Sequence, residues 1–211
     1  MNTEELSISA QKKNWQNFWN KLDRSNSFWI DASLRPSARA FQTDLTGAIE
    51  DRIRAAAFAE LQAIAGFEWA CARFADSAPA ALVARWREII LDEEKHLSWL
   101  LARATDLQID LKAKPVSDSL LTALLQTETA SDFCVLICDA EERGRKAGLR
   151  FHEMLIKKDP ITAKIFQDIA REESLHITIA KEFYPLETDK FKEAKFLDLK
   201  IRELRSLRSI S

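Results

Sequence analysis

Glycine is scarce in this chain, four residues of 211, and proline is nearly as rare at five. Hairpin and Greek-key loops depend on positive-φ glycine and on turn prolines, so the shortage argues against an all-β chain. No sustained alternation of apolar and polar residues is present either. Three cysteines cannot all pair within the chain, and nothing reads as a secretory leader; the expectation is a soluble protein of a reducing, cytoplasmic compartment rather than a disulfide scaffold. No apolar run is long enough to span a bilayer. Neither sign of charge dominates, with 31 Lys and Arg against 33 Asp and Glu, so the net charge of -2 points to no particular class of partner.

What the chain has in quantity is Ala, Leu, Glu, Lys and Arg, the strong helix formers, in apolar stripes of helical period. The expectation is an all-α single domain in three parts: an N-terminal helical extension over 1–42, a four-helix bundle over 43–185, and a C-terminal basic amphipathic helix over 186–211. In the extension, Trp15, Phe18, Trp19 and Leu22 share a helical face, and Phe28, Trp29 and Pro36 follow in an irregular stretch. These aromatics are expected to cover the bundle from outside.

The first core helix is predicted from Thr43 or Asp44 to about Phe74, with Ile53, Ala57, Glu60, Ile64 and Phe67 on one stripe. The second, near 79–105, aligns Trp86, Ile89, Glu93, His96 and Leu100. A connection over 106–130 carries Pro115, a Ser117 N-cap and a short apolar helix near Leu120 to Leu125, long enough to cross the whole bundle. The third helix, near 131–157, aligns Phe133, Ile137, Glu141, Gly144, Gly148 and Phe151. The fourth runs from Pro160 to about Phe183, with Ile165, Ile169, Glu173, His176 and Ala180 in register, and Tyr184-Pro185 ends it. A last docked helix over 189–208 has Ala194, Leu197, Ile201 and Leu204 as its stripe.

Two of the three histidines follow a glutamate by three residues, Glu93-Glu94-Lys95-His96 and Glu173-Ser174-Leu175-His176. On a helix, residues i and i+3 share a face, so a carboxylate oxygen and an imidazole nitrogen can reach one ion. The levels agree. Helix breaks fall at Asp76-Ser77-Ala78-Pro79 and Lys157-Lys158-Asp159-Pro160, each read as a polar N-cap before a first-turn proline. Glu60 and Glu93 straddle the first break and Glu141 and Glu173 the second, each about 16 residues or roughly 24 Å from its hairpin end. Antiparallel hairpins therefore carry four carboxylates to one height. Glu60, Glu93, His96, Glu141, Glu173 and His176 are the expected metal ligands and catalytic residues. Their oxygen and imidazole donors suit two iron ions, or manganese, better than thiolate-seeking metals. Two divalent cations would balance four carboxylates that otherwise repel in an apolar space.

Asp92 and Glu172 each precede a ligand histidine by four residues; they either orient an imidazole across the bundle or are exposed helical charges. Cys134, Cys138 and Cys71 are read as small buried hydrophobes. His152 lies about 16 Å along the helix from Glu141, too far for the same ions. Trp69, Trp86 and Trp99 either wall the site or fill core. Tyr184, eleven residues past Glu173, is too distant for a tyrosyl-radical role.

With Glu60, Glu93-x-x-His96, Glu141 and Glu173-x-x-His176 in this order, residues 50 to 185 resemble the ferritin-like di-iron carboxylate superfamily. Ala59-Glu60-Leu61-Gln62-Ala63-Ile64, Asp92-Glu93-Glu94-Lys95-His96 and Glu141-Glu142-Arg143-Gly144 are most similar to a bacterial ferritin-like family of unassigned function, distantly related to tRNA isopentenyladenosine hydroxylases. The resemblance implies an antiparallel ferritin-like bundle with one long crossover, and a centre that uses O2 as co-substrate to oxidise a small organic molecule, with an external electron donor. Glu141 is then the third-helix ligand. A homodimer and no membrane association are compatible with it. A ferroxidase or iron-handling protein, a tRNA-modifying hydroxylase, and a metal-free helical interaction module are the competing expectations.

Overall fold

Thr129, Asp159 and Pro79 open three of the long helices, each in its own way, in a computed structural model that describes residues 45–111 and 119–195. The described residues form α1 (Leu45–Arg73), α2 (Ala80–Asp106), α3 (Ser119–Leu125), α4 (Ala130–Leu155), α5 (Pro160–His176) and α6 (Ile179–Phe183), with a further helical stretch at 185–195 and no strand among them. The Thr129 side chain accepts from Asp132 N at 3.1 Å, and Asp159 accepts from Thr162 N at 3.1 Å with Pro160 in the first turn. Both satisfy an amide the helix cannot. The first break departs from expectation: Pro79 is itself the N-cap, no side chain caps it, and its carbonyl accepts from Leu82 and Val83.

Short turns make α1 pack against α2 and α4 against α5, and the two hairpins meet through α2 with α5 and α1 with α4. Arg103 fastens one end, reaching Asp159 at 3.0 Å and Thr162 Oγ1 at 2.8 Å. Across the other, α3 lies chiefly on α1. Leu124 of α3 is fully buried, and a Cβ added at Gly66 would stand 2.6 Å from its Cδ1. A side chain at Gly66 would therefore have to turn that methyl aside. Gln62 completes the joint by accepting from Leu121 N at 3.2 Å.

Two apolar clusters fill the bundle. Phe67, Phe74, Trp86, Phe133 and Ile137 pack at the end near the α1–α2 turn; Ile53, Leu61, Leu100, Phe151 and Phe166 pack at the end near the α4–α5 turn. Edge-to-face rings, 5.3 Å apart for Trp86 and Phe133 and 5.0 Å for Phe151 and Phe166, fix each cluster's packing. The expected glutamates occupy the level between the clusters.

Three stretches differ from the sequence reading. The fourth core helix does not run to Phe183; α5 stops at His176 and α6 restarts at Ile179. At this break a side chain from α4 enters the ladder: the Cys138 thiol donates at 3.3 Å to the His176 carbonyl, which in an unbroken helix would accept from Ala180 N–H. Tyr184-Pro185 ends α6, yet helix resumes at once over 185–195. There Thr188 and Phe191 face the core, whereas Ala194, placed on the packing stripe by its spacing, is exposed. Gly144, on the inward stripe of α4, is exposed. The 1–42 extension, with Trp15, Phe18, Trp19, Leu22, Phe28 and Trp29, the Ser117 cap, and Leu197, Ile201 and Leu204 lie outside the described residues.

Candidate metal centre

Glu60 from α1, Glu93 and His96 from α2, and Glu173 from α5 are all buried, and one donor atom of each lies within 4.8 Å of the others. They arrive there because each occupies a core-facing position on its own helix. Glu93 and His96 have no exposed surface, Glu173 and His176 almost none.

The two histidines face each other with ring centroids 6.1 Å apart, and the carboxylates lie between them. His96 Nδ1 is 3.7 Å from Glu93 Oε2 and 3.2 Å from Glu173 Oε1; His176 Nδ1 is 3.0 Å from Glu93 Oε1 and 3.2 Å from Glu173 Oε2. Glu93 and Glu173 therefore each turn one oxygen toward each histidine. Glu60 Oε2 adds to the His96 side at 3.7 Å, and Glu141, half-buried, contacts the carboxyl of Glu173. The result is one buried layer in which Glu93 and Glu173 each stand near both histidines.

Burial and charge act on these groups in opposite directions. Burial, with the nearby Glu93 carboxylate, pushes Glu60 up to about 8. Glu141 is raised well above the carboxylate range by burial and by the charges of Glu173 and Glu93. For Glu93 and Glu173 burial is outweighed by contacts with neighbouring side chains, His176 and His96 among them, and both are lowered. Burial opposes a charged imidazole, but Glu173 and Glu93 overcome it, raising His176 to about 10 and His96 higher still.

Do these residues fit a metal? Both oxygens of Glu93 and Nδ1 of His96 are buried with no hydrogen-bond partner in good geometry, although acceptors and donors stand close by. An unsatisfied buried carboxylate is costly. Donors about 2.1 Å from a shared ion stand about 3 Å apart when adjacent, the spacing found here between the imidazoles and carboxylates. The outward nitrogens are satisfied: His96 Nε2 lies 2.9 Å from Glu172 Oε2, and His176 Nε2 lies 3.4 Å from Asp92 Oδ2. Asp92 and Glu172 have lowered pKa values, burial being overcome by Lys95 and the histidines, so both are acceptors and both Nε2 atoms carry hydrogen. Both Nδ1 atoms then face inward, where an ion would take the place of the proton that each charged ring carries there. A metal ion fits this donor set, and the orienting role read for Asp92 and Glu172 is the one the geometry supports.

The remaining residues keep to the sequence reading except Cys71, which is half-buried rather than fully buried. Glu142 points away, paired with Arg145 at 2.7 Å and lowered by it to about 2. Cys134 and Cys138 are buried, and burial pushes both thiols up, Cys138 to about 11. His152 Nδ1 pairs with Ala163 O at 2.9 Å, away from the cluster. Trp86 and Trp69 fill core, whereas Trp99 lies with its ring 5.7 Å from that of His96. Tyr184 packs on the apolar cluster beyond the α5–α6 break. Sequence reasoning missed Lys95, whose Nζ is 2.8 Å from both Asp92 and Glu172; its spacing of three from Asp92 was the available signal.

A helical bundle with a buried carboxylate and imidazole layer able to hold a metal ion is the class these features define. By sequence the chain belongs to the family described as protein of unknown function (DUF455), whose model matches residues 30–203. No curated protein and no solved structure matches the chain. No helix among the described residues is long and apolar enough to cross a membrane.

Proposed function

We propose that this protein is a ferritin-like di-iron carboxylate oxidase or hydroxylase, with di-manganese as the alternative filling, acting on a small organic substrate with O2. The observation that carries the reading is the two-sided placement of Glu93 and Glu173, each with one oxygen toward His96 and one toward His176. Glu60 and Glu141 would complete two half-sites as ligands to one ion each. The ions would supply Lewis acidity and reversible one-electron chemistry toward O2.

The chain's own residues do the rest. Asp92 and Glu172 hold the Nε2 hydrogens so that the imidazoles present Nδ1. The apolar clusters above and below keep bulk water from the layer. Of the six proposed ligands only Glu141 is half-buried rather than buried, so a small substrate would reach the layer from the α4 side.

The test is metal content per chain after anaerobic loading with Fe(II) and desalting, followed by O2 uptake, for wild type and the Glu93→Ala, Glu173→Ala double variant. About two irons per chain, lost in the variant, with O2 uptake that Glu60→Ala or Glu141→Ala reduces, is the expected result. Absence of bound iron and of bound manganese in wild type would sink the reading. Turnover of Fe(II) alone, with cage-sized particles on size exclusion, would replace the oxidase with a ferroxidase.

A further inference from the structure

One cation reaches both halves of the cluster. Lys95 sits on α2 between Glu93 and His96, but its side chain turns outward. Its Nζ lies 2.8 Å from Asp92 Oδ1 and 2.8 Å from Glu172 Oε2. Those are the two acids that receive the histidines: Glu172 Oε2 stands 2.9 Å from His96 Nε2, and Asp92 Oδ2 stands 3.4 Å from His176 Nε2. The contacts cross between helices, since Asp92 of α2 serves His176 of α5 and Glu172 of α5 serves His96 of α2. His176, Asp92, Lys95, Glu172 and His96 therefore form one continuous chain of contacts around the outside of the site. Arg171 also approaches, at 3.9 Å, but only the other oxygen of Glu172 and from an exposed position.

From this arrangement we infer that Lys95 is a positioning residue for both histidines at once, holding Asp92 and Glu172 on the two Nε2 atoms so that both Nδ1 atoms stay turned into the cluster. The inference rests on the proposed metal centre and adds a residue to it. Without the ammonium, two ionised carboxylates drawn to one spot repel each other, and Glu172, whose side chain is 23% exposed, has solvent to move into. A histidine whose Nε2 loses its acceptor no longer has its tautomer or ring orientation set. Lys95 and Asp92 are each about two-fifths exposed, and an isolated surface pair of that kind contributes little. Here one side chain serves ligands on two helices, so its effect is read in the ligands rather than in global stability. The Trp99 ring, 5.7 Å from Nζ, adds a cation–π contact to the ammonium.

The experiment compares wild type with Lys95→Met, which keeps an unbranched stem, and Lys95→Arg, which keeps the charge. Fe(II) affinity is measured anaerobically by chelator competition, and the imidazole Nε2–H protons of the metal-free proteins are followed by NMR hydrogen exchange. Lys95→Met is expected to weaken both ions by about 10–100-fold and to expose both Nε2–H protons to exchange, with Lys95→Arg restoring most of each and metal-free unfolding unchanged. Unaltered affinity and exchange in Lys95→Met, or a loss confined to one histidine, would overturn the inference. If wild type binds no iron, the metal reading fails on its own while the exchange measurement still decides what Lys95 does.

Discussion

Filling the site should expel about four protons at pH 7. In the metal-free protein Glu60, raised to about 8, and Glu141, raised well above the carboxylate range by burial and by its ionised neighbours, hold theirs, and both imidazoles are charged, with His176 raised to about 10. Glu93 and Glu173 are ionised. Two imidazolium ions then face two carboxylates beside two neutral acids, a layer with no net charge, and two divalent ions replacing four protons leave that charge unchanged. The combined affinity should rise by about four powers of ten per pH unit below pH 8, about 5.5 kcal/mol per unit, as each proton contributes about 1.4 kcal/mol. Calorimetric titration with Mn(II) in buffers of different ionisation enthalpy counts the protons directly. Release of none or one would refute the charge assignment. The metal-free protein carries the same linkage. Glu60 is raised from its ordinary 4.5, so above that value the fold binds a proton the unfolded chain has lost, and stability falls as pH rises from about 4.5 through 8; His176 adds a second fall from its ordinary 6.5 through about 10. Thermal unfolding between pH 5 and 8 should therefore show a falling midpoint that bound metal largely removes.

Three substitutions probe the scaffold. Gly66→Ala should change stability by less than about 1 kcal/mol in denaturant unfolding, since its Cβ would displace only the Cδ1 end of Leu124, 2.6 Å away, while α1 gains about 0.5–1 kcal/mol from alanine; a loss of several kcal/mol would show that Leu124 cannot turn aside. Gly144→Ala should stabilise by about 0.5–1 kcal/mol, because the site is helical and exposed, and no described atom beyond its own turn of helix lies within 4 Å of the new Cβ; destabilisation would mean that the position is not open. Cys138→Ala should let Ala180 N–H reach the His176 carbonyl, straighten α5 into α6 and weaken metal binding about tenfold or more, whereas Cys138→Ser keeps a donor and acceptor at the break; equal metal affinity in both variants would show that the thiol does not set the backbone of His176.

The bundle was legible because its signals are local. Stripes such as Ile53, Ala57, Glu60, Ile64 and Phe67 are buried as their spacing implies, and Asp159-Pro160 opens α5 as its residue types predict. The common level of Glu60, Glu93 and Glu173 followed from counting residues to a turn. The break after His176 was not legible, since no glycine or proline marks it: what stands there is a thiol from α4 entering the backbone ladder of α5. Pro79 misled for a smaller reason, as a proline fits the N-cap as well as the first turn.

For the site, the residues that face inward could be read from one helix at a time, and those that act between helices only as alternatives. Glu93 and His96 share a face by spacing alone. Whether Asp92 is an exposed charge or orients an imidazole across the bundle depends on how α2 and α5 are rotated against each other, and the structure gives the second answer, at His176. Lys95 is the extreme case. Its sequence neighbours suggest an ordinary i, i+3 surface pair with Asp92, and only the approach of Glu172 from the opposite helix makes it the cation shared by both histidine partners. Core-facing chemistry is set by periodicity and is visible in a single sequence. The contacts that orient it are set by helix rotation, which periodicity leaves free.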